Sequence, residues 1–254
     1  MAVIDLRRIA AVLFETDGVI TDTARVHAAV WKRVMDAYLR RRAAETGEPW
    51  RPFDVREDYL RYVDGKPRLD GARDFLASRG VRLPAGEEGG NVLAGLACLK
   101  EGLFLAEIRH YGVAPFPAAV VLLRDLRRHG ARVGAVSPSR NCAEVLARAG
   151  LARLVDARVD GVDAASAGLP AMPDPAMLAE AAGRLGTAPH ETAVVAETEP
   201  ALRAARAGHF GLVVAVRSPG REHAGPPPPA DHVVPDLAAV QVSGQVPLAA
   251  RAAR

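Results

Sequence analysis

Short apolar runs and longer amphipathic segments alternate along the chain. The runs Ile9–Phe14, Ala131–Val136, Thr192–Val195 and Gly211–Val216, with a shorter one at His232–Val234, have the length and the Val and Ile content of buried strands. Segments such as Ala118–Arg128 and Pro200–Ala207 carry apolar residues at helical spacing. Strands that are apolar throughout need cover on both faces, and helices placed between them supply it. The pattern therefore predicts a parallel sheet with helices on either side.

One interval breaks the alternation. From Thr23 to about Pro117 there is no convincing strand, only helical patterns at Val26–Arg42, Leu69–Arg79 and Val92–Tyr111. Gly47–Asp54 and Arg82–Asn91 read as loops from their Pro, Gly and charge content. The expected organisation is an α/β core of residues 1–22 and 117–240, a helical cap of residues 23–116 inserted after the first strand, and a flexible tail, 241–254. Ala224–Asp231, with four prolines, is expected to be a surface linker.

With 254 residues, 49% of them hydrophobic, the chain can bury a full core, and global disorder is excluded. The 33 basic and 30 acidic residues nearly cancel, and the basic ones are spread over helical faces, so nucleic acid is not an expected partner. Cys98 and Cys142 have no metal-site spacing and are expected to be buried thiols in a reducing cytoplasm. No charged-then-apolar leader precedes Ile9, and no apolar run reaches the ~18 residues of a membrane span, so a soluble cytoplasmic protein without membrane partners is expected.

The candidate chemistry sits where strands end. The first run stops at Glu15-Thr16-Asp17-Gly18, the second at Ser137, the third just before Glu197. In open α/β sheets ligands bind at the carboxyl ends of the strands, so these ends should share one crevice. Each also has a plainer reading. The acid pair could be a solvated loop, Ser137-Pro-Ser-Arg-Asn a turn and helix cap, and Glu197 a cap for the helix after it.

Strand, acidic turn, helical insert, strand ending in Ser, strand followed by an acid: this order resembles the haloacid dehalogenase (HAD) superfamily. Within it the chain is most similar to the β-phosphoglucomutase-like branch. The resemblance runs from VLFETDGVITDTARVHAAVWK through YVDGKPRLDGARDFLASRGV, VSPSRNCAEVLARAGL and GLPAMPDPAML to AARAGHFGLVVAV. It implies a Rossmann-like core with a cap, and it assigns roles. The family's D-x-D-G motif supplies a nucleophile and an acid/base; Glu15 and Asp17 hold those places. Ser137 matches the hydroxyl that touches the phosphoryl oxygens, with Ser139, Arg140 and Asn141 around the phosphate. The family's phosphate-neutralising lysine is replaced by Met172, and its magnesium-holding acids by Ala196 and Glu197. In the cap, Arg68 matches an arginine that grips a distal phosphate and Lys100 a lysine beside it, although Leu99 and Glu101 depart from the usual R-K-N. His27 and Trp31 match an H-x-x-x-W on the first cap helix. Arg68 and Lys100 alone would pass for surface charges, His27 and Trp31 for packing residues, and Met172 for core filling.

Phosphoryl transfer needs a nucleophile in line, a metal, a cation and positioning, and three of the four are altered here. No cofactor is expected, and magnesium, if bound at Glu15, Asp17 and Glu197, should be weak. Three readings follow. The first is a protein that binds a small phosphorylated or anionic metabolite, or a partner protein, without ordinary phosphatase activity. The second is a weak magnesium-dependent sugar-phosphate phosphatase or phosphomutase. The third is a metal-independent acid–base enzyme using Asp17 and Glu15.

Overall fold

A computed structural model describes residues 1–217 and 229–247. It divides into two compact units: Met1–Asp22 with Val113–Arg254, and Thr23–Gly112. The first unit contains strands β1 (Ala2–Asp5), β2 (Ala11–Glu15), β3 (Arg132–Val136), β4 (Ala157–Val159), β5 (Thr192–Ala196), β6 (Leu212–Val216), β7 (His232–Val234) and β8 (Val240–Ser243). Helices α1 (Ala24–Thr46), α2 (Arg68–Ser78) and α3 (Glu87–Tyr111) belong to the second unit. Helices α4 (Pro117–Arg128), α5 (Cys142–Arg148), α6 (Gly161–Ala167), α7 (Ala176–Arg184) and α8 (Glu199–Ala207) belong to the first.

Six strands form one parallel sheet in the order β4-β3-β2-β5-β6-β7. Because side chains alternate along a strand, Val12 and Phe14 enter one apolar layer with Leu123 of α4 and Leu146 of α5. Ala11 and Leu13 enter the opposite layer with Leu178 of α7 and Leu202 of α8. Each large side chain fully buried in these layers stabilises the fold by about 1.5–3 kcal/mol. The packing leaves no slack at Gly134 in β3, where a Cβ would stand 2.5 Å from Leu13 Cδ2. The strand order reverses at β2, so its carboxyl end opens onto a switch-point crevice.

Several expectations are corrected. Residues 241–243, placed in the tail, form most of β8, which pairs in parallel with β1, and Val240 and Val246 are buried in the core. Neither strand declares itself, because each is four residues long and carries polar or exposed positions. β4 is shorter still. The second unit ends at Gly112, so Val113–Phe116 return to the first. Backbone bonds from Asp22 N to Ala114 O and from Phe116 N to Ile20 O zip the two connections together there. α3 starts at Glu87, inside the expected loop: Glu87 and Glu88 in its first turn complement the helix dipole and offset the cost of Gly89 and Gly90. Of the expected Pro-rich linker, residues 224–228 lie outside the described residues. Pro229 and Asp231 are tied down by the Arg206 guanidinium.

The second unit has helical secondary structure and its own core, in which Phe53 meets Phe75 edge-on at 4.7 Å. Its long loop is anchored by the buried carboxylate of Asp36, which accepts from Phe53 N at 2.7 Å and from Lys32 Nζ at 3.0 Å. Among the described residues no helix is long and apolar enough to cross a membrane.

The two thiols differ, contrary to the expectation that both are buried. Cys98 lies on an exposed face of α3, whereas Cys142 is buried and burial pushes its thiol up to about 12. At pH 8 the native chain should consume one equivalent of a maleimide, at Cys98, and a second only after denaturation. Mass spectrometry showing native labelling at Cys142 would contradict this packing.

Candidate functional site

Glu15 is the last residue of β2 and only 6% exposed. Its carboxylate does not stand open to the crevice. Oε2 accepts from Glu197 N at 2.8 Å and Thr198 N at 3.0 Å, while Oε1 accepts from Thr198 Oγ at 2.6 Å. Thr198 is the N-cap of α8, and Pro200 sits in that helix's first turn, where a missing N–H costs nothing. The Thr198 hydroxyl caps no amide of α8, being given to Glu15 instead. A carboxylate from a strand some 180 residues earlier thus does the work of a helix cap, favoured by the dipole of α8. The extra methylene of glutamate over aspartate supplies the reach.

Past Glu15 the chain turns tightly. Ile20 N, Thr21 N and Thr21 Oγ all bond to Thr16 O, and Gly18 takes a φ of 84°, open to glycine without strain. Buried Thr16 Oγ lies 3.3 Å from Cys142 Sγ. The turn presents half-buried Asp17, whose Oδ2 accepts from Ser137 Oγ at 3.0 Å. Ser137 Oγ also accepts from Ser139 N at 3.1 Å, and Ser139 Oγ from Asn141 N at 3.2 Å. The structure therefore brings Asp17, Ser137, Ser139 and Asn141 into one polar turn, with exposed Arg140 on its rim. Gly161 permits this turn to close on the chain behind it: its N–H donates to Ser139 O, and a Cβ there would lie 2.5 Å from Pro138 O.

Met172 and Ala196 are buried in the layer that contains α7 and α8. With Glu15, Leu178 and Val194 they border a void of about 10 Å³, at the lower limit for one water. Glu197, which follows Ala196 in sequence, is buried. Among the described residues no three or more His, Cys, Asp or Glu side chains gather as a cation site.

In the second unit His27, Trp31 and Lys100 come together. His27 stacks on Phe104 with centroids 4.0 Å apart, and Lys100 Nζ lies 2.6 Å from His27 Nδ1 and over the Phe104 and Trp31 rings at 4.6 and 5.9 Å. Arg68, at the start of α2, is apart from this cluster in its bonding and pairs with Glu101 of α3. Thr198, Gly161 and the Arg68–Glu101 pairing are what the residue pattern did not disclose. The Thr-Glu-Pro of a helix start was a visible signal for the first, and the close approach at Gly161 had none.

Comparison with known proteins agrees with this layout. The family model for haloacid dehalogenase-like hydrolases matches residues 9–209. A β-phosphoglucomutase of Mycobacterium tuberculosis is 39% identical over 84% of this chain and 83% of its own length. An uncharacterised glycosyl hydrolase of the same organism is 41% identical over 94% of this chain, a stretch that makes up 18% of that much longer protein. Among solved structures, β-phosphoglucomutase from Clostridium difficile superposes with a TM-score of 0.69 at 21% identity, covering 90% of this chain and 92% of its own. CbbY from Rhodobacter sphaeroides in complex with phosphate gives 0.69 at 21% identity, over 91% of this chain and 96% of that one. With the parallel sheet, the inserted helical unit and the acidic switch-point turn in place, the chain belongs to the haloacid dehalogenase-like hydrolase family, in its β-phosphoglucomutase-like branch.

Proposed function

We propose that this chain binds a small phosphorylated or anionic metabolite without carrying out ordinary HAD phosphoryl transfer. The observation that supports this most is the hydrogen bonding of Glu15. A nucleophile must hold a lone pair about 3–3.5 Å from phosphorus and in line. Both Glu15 oxygens are instead directed at residues 197 and 198, in three bonds. The same commitment removes Glu15 as a compact metal ligand, and the residues at hand do not fit magnesium, which demands a near-octahedral oxygen set. Met172 brings no charge to balance a phosphoryl group.

The polar turn argues for retained binding. Ser137 and Asp17 are positioned against each other; the Ser137 hydroxyl, which donates to Asp17, can turn to an incoming oxyanion, and the Ser139 hydroxyl, which accepts from Asn141 N, keeps its own proton to donate. The β-phosphoglucomutase relative and the phosphate held by CbbY point to the same ligand class.

Calorimetric titration with magnesium and with sugar phosphates, beside an assay for released inorganic phosphate, tests the reading. Sugar-phosphate binding that needs no magnesium and weakens about 10-fold in Ser137→Ala is expected, with no magnesium-stimulated phosphate release. Magnesium-stimulated release abolished by Glu15→Gln would overturn it in favour of a working phosphatase.

A further inference from the structure

The outward face of α1 carries two cations without a counter-charge among the described residues. Val30, Trp31, Val34 and Met35 are buried, which leaves Ala29, Arg33, Ala37 and Arg40, three or four residues apart, exposed along one face. With Lys32 and Asp36 they border a recess of about 410 Å³, within the ~300–1,000 Å³ of small-molecule sites. The two alanines keep it open, because neither side chain extends past Cβ. Asp36 does not neutralise the arginines. Its carboxylate is committed to Phe53 N at 2.7 Å and to Lys32 Nζ at 3.0 Å, and the Lys32 charge balances it. Further along the helix Arg41 and Arg42 have Glu45 and Glu48. Arg33 and Arg40 have no carboxylate among the described residues. The Arg40 guanidinium lies over the Trp50 ring at 5.3 Å, a contact that holds the fork by its face and leaves its N–H edge to donate. Lys32 gives two of its three N–H groups, to Asp36 and to Phe53 O at 2.8 Å, so one remains.

The recess thus offers N–H donors and two unmatched positive charges. Seven residues put the Arg33 and Arg40 Cα atoms about 10.5 Å apart along the axis, so their long side chains reach a shared ligand from either end. One phosphoryl group occupies one fork, whereas two linked phosphoryl groups occupy both, each held by a planar guanidinium through parallel bonds. A dicarboxylate brings fewer acceptor oxygens and less charge. We infer that this face of α1 is a second anion site, taking a diphosphate group with one phosphoryl on Arg33 and the other on Arg40. The site lies wholly within the inserted unit and does not rest on the metabolite-binding reading. The same group comes free, as inorganic pyrophosphate, or attached, as in a nucleoside diphosphate.

The test is calorimetric titration of the full chain with inorganic pyrophosphate and with ADP, both without magnesium. A Ser137→Ala background is used alongside the wild type, because the polar turn of the core also suits oxyanions. Arg33→Ala and Arg40→Ala should each weaken pyrophosphate binding by about 10-fold and together by about 100-fold, the low end for charged hydrogen bonds because the recess is open to water. Both changes put a better helix former at an exposed position and should leave the melting temperature near that of the parent. Arg40→Lys keeps the charge, loses the fork and should fall between, and it stands in if the alanine form, deprived of its Trp50 contact, folds poorly. Succinate should bind at least ~10-fold more weakly than pyrophosphate. ADP bound as tightly as pyrophosphate, or more tightly, assigns the group to a nucleotide; weaker ADP binding assigns it to the free ion. The inference is overturned if neither probe binds, if the arginine variants leave binding unchanged, or if succinate matches pyrophosphate. Hexaglutamate binding more tightly than either probe would also overturn it, making the face a docking surface for an acidic protein segment.

Discussion

Glu15→Ala should lower the melting temperature by on the order of 10 °C. The change removes three hydrogen bonds to an ionised acceptor and strands Glu197 N, Thr198 N and the Thr198 hydroxyl in a site where Glu15 was 6% exposed and Thr198 is 3% exposed. Buried donors left without an acceptor cost about 1–3 kcal/mol each, and partial relaxation brings the sum to ~3–5 kcal/mol. For a chain of this size each kcal/mol shifts the midpoint by about 2–4 °C. Glu15→Gln keeps one acceptor oxygen and should fall between wild type and alanine. Glu15→Asp draws the carboxylate back by one methylene and should behave much more like alanine than like glutamine. A strained nucleophile would give the opposite sign, since catalytic groups held against their own preference often stabilise a fold when removed. Differential scanning calorimetry of the three variants decides the matter; an unchanged or raised midpoint in Glu15→Ala removes the helix-capping role.

The parts of this molecule that the sequence made legible are those in which one physical requirement dominates. β2, β3, β5 and β6 are buried on both faces, so each had to be a largely apolar run, and each was visible as one. Among the described residues β1 and β8 pair only with each other, across nearly the whole length of the chain, and their half-exposed positions dilute the signal that burial would give. The site shows the same division. That Glu15, Asp17, Ser137 and Glu197 lie at strand ends followed from the strands themselves. Where the Glu15 carboxylate goes did not, because its partners are mainly backbone amides, which no residue pattern advertises. His27 and Trp31 could be placed on one face of α1 from their spacing of four, whereas their grouping with Lys100 depends on how α1 and α3 pack.

Restoring the family's residues should expose the same logic from the other side. Met172→Lys alone puts an ammonium into a layer of Leu13, Val136, Leu178, Val194 and Ala201, beside a void of about 10 Å³, and should destabilise by several kcal/mol. Glu15→Asp alone loses its bonds to residues 197 and 198. Made together, the two changes create an acid and a base of opposite charge on the same small void, which Glu15 and Met172 both line, so the double variant should recover ~1–3 kcal/mol relative to the sum of the singles. Turnover should be less additive still. A carboxylate freed from Thr198 has no metal until Ala196→Glu and Glu197→Asp supply compact acids, and those acids have nothing to serve without the nucleophile and the lysine. Groups that act as a unit mask one another when any is missing. Each single reversion should therefore leave phosphate release from glucose 1-phosphate near background, and all four together should raise it by at least ~100-fold in the presence of magnesium, the scale on which one misplaced reacting group counts. Melting curves and phosphate release on the singles, the Glu15–Met172 double and the quadruple variant provide the check. Full activity in Glu15→Asp alone would mean that one methylene holds the site closed; a folded, magnesium-binding quadruple variant without turnover would mean that turnover needs residues beyond these four positions.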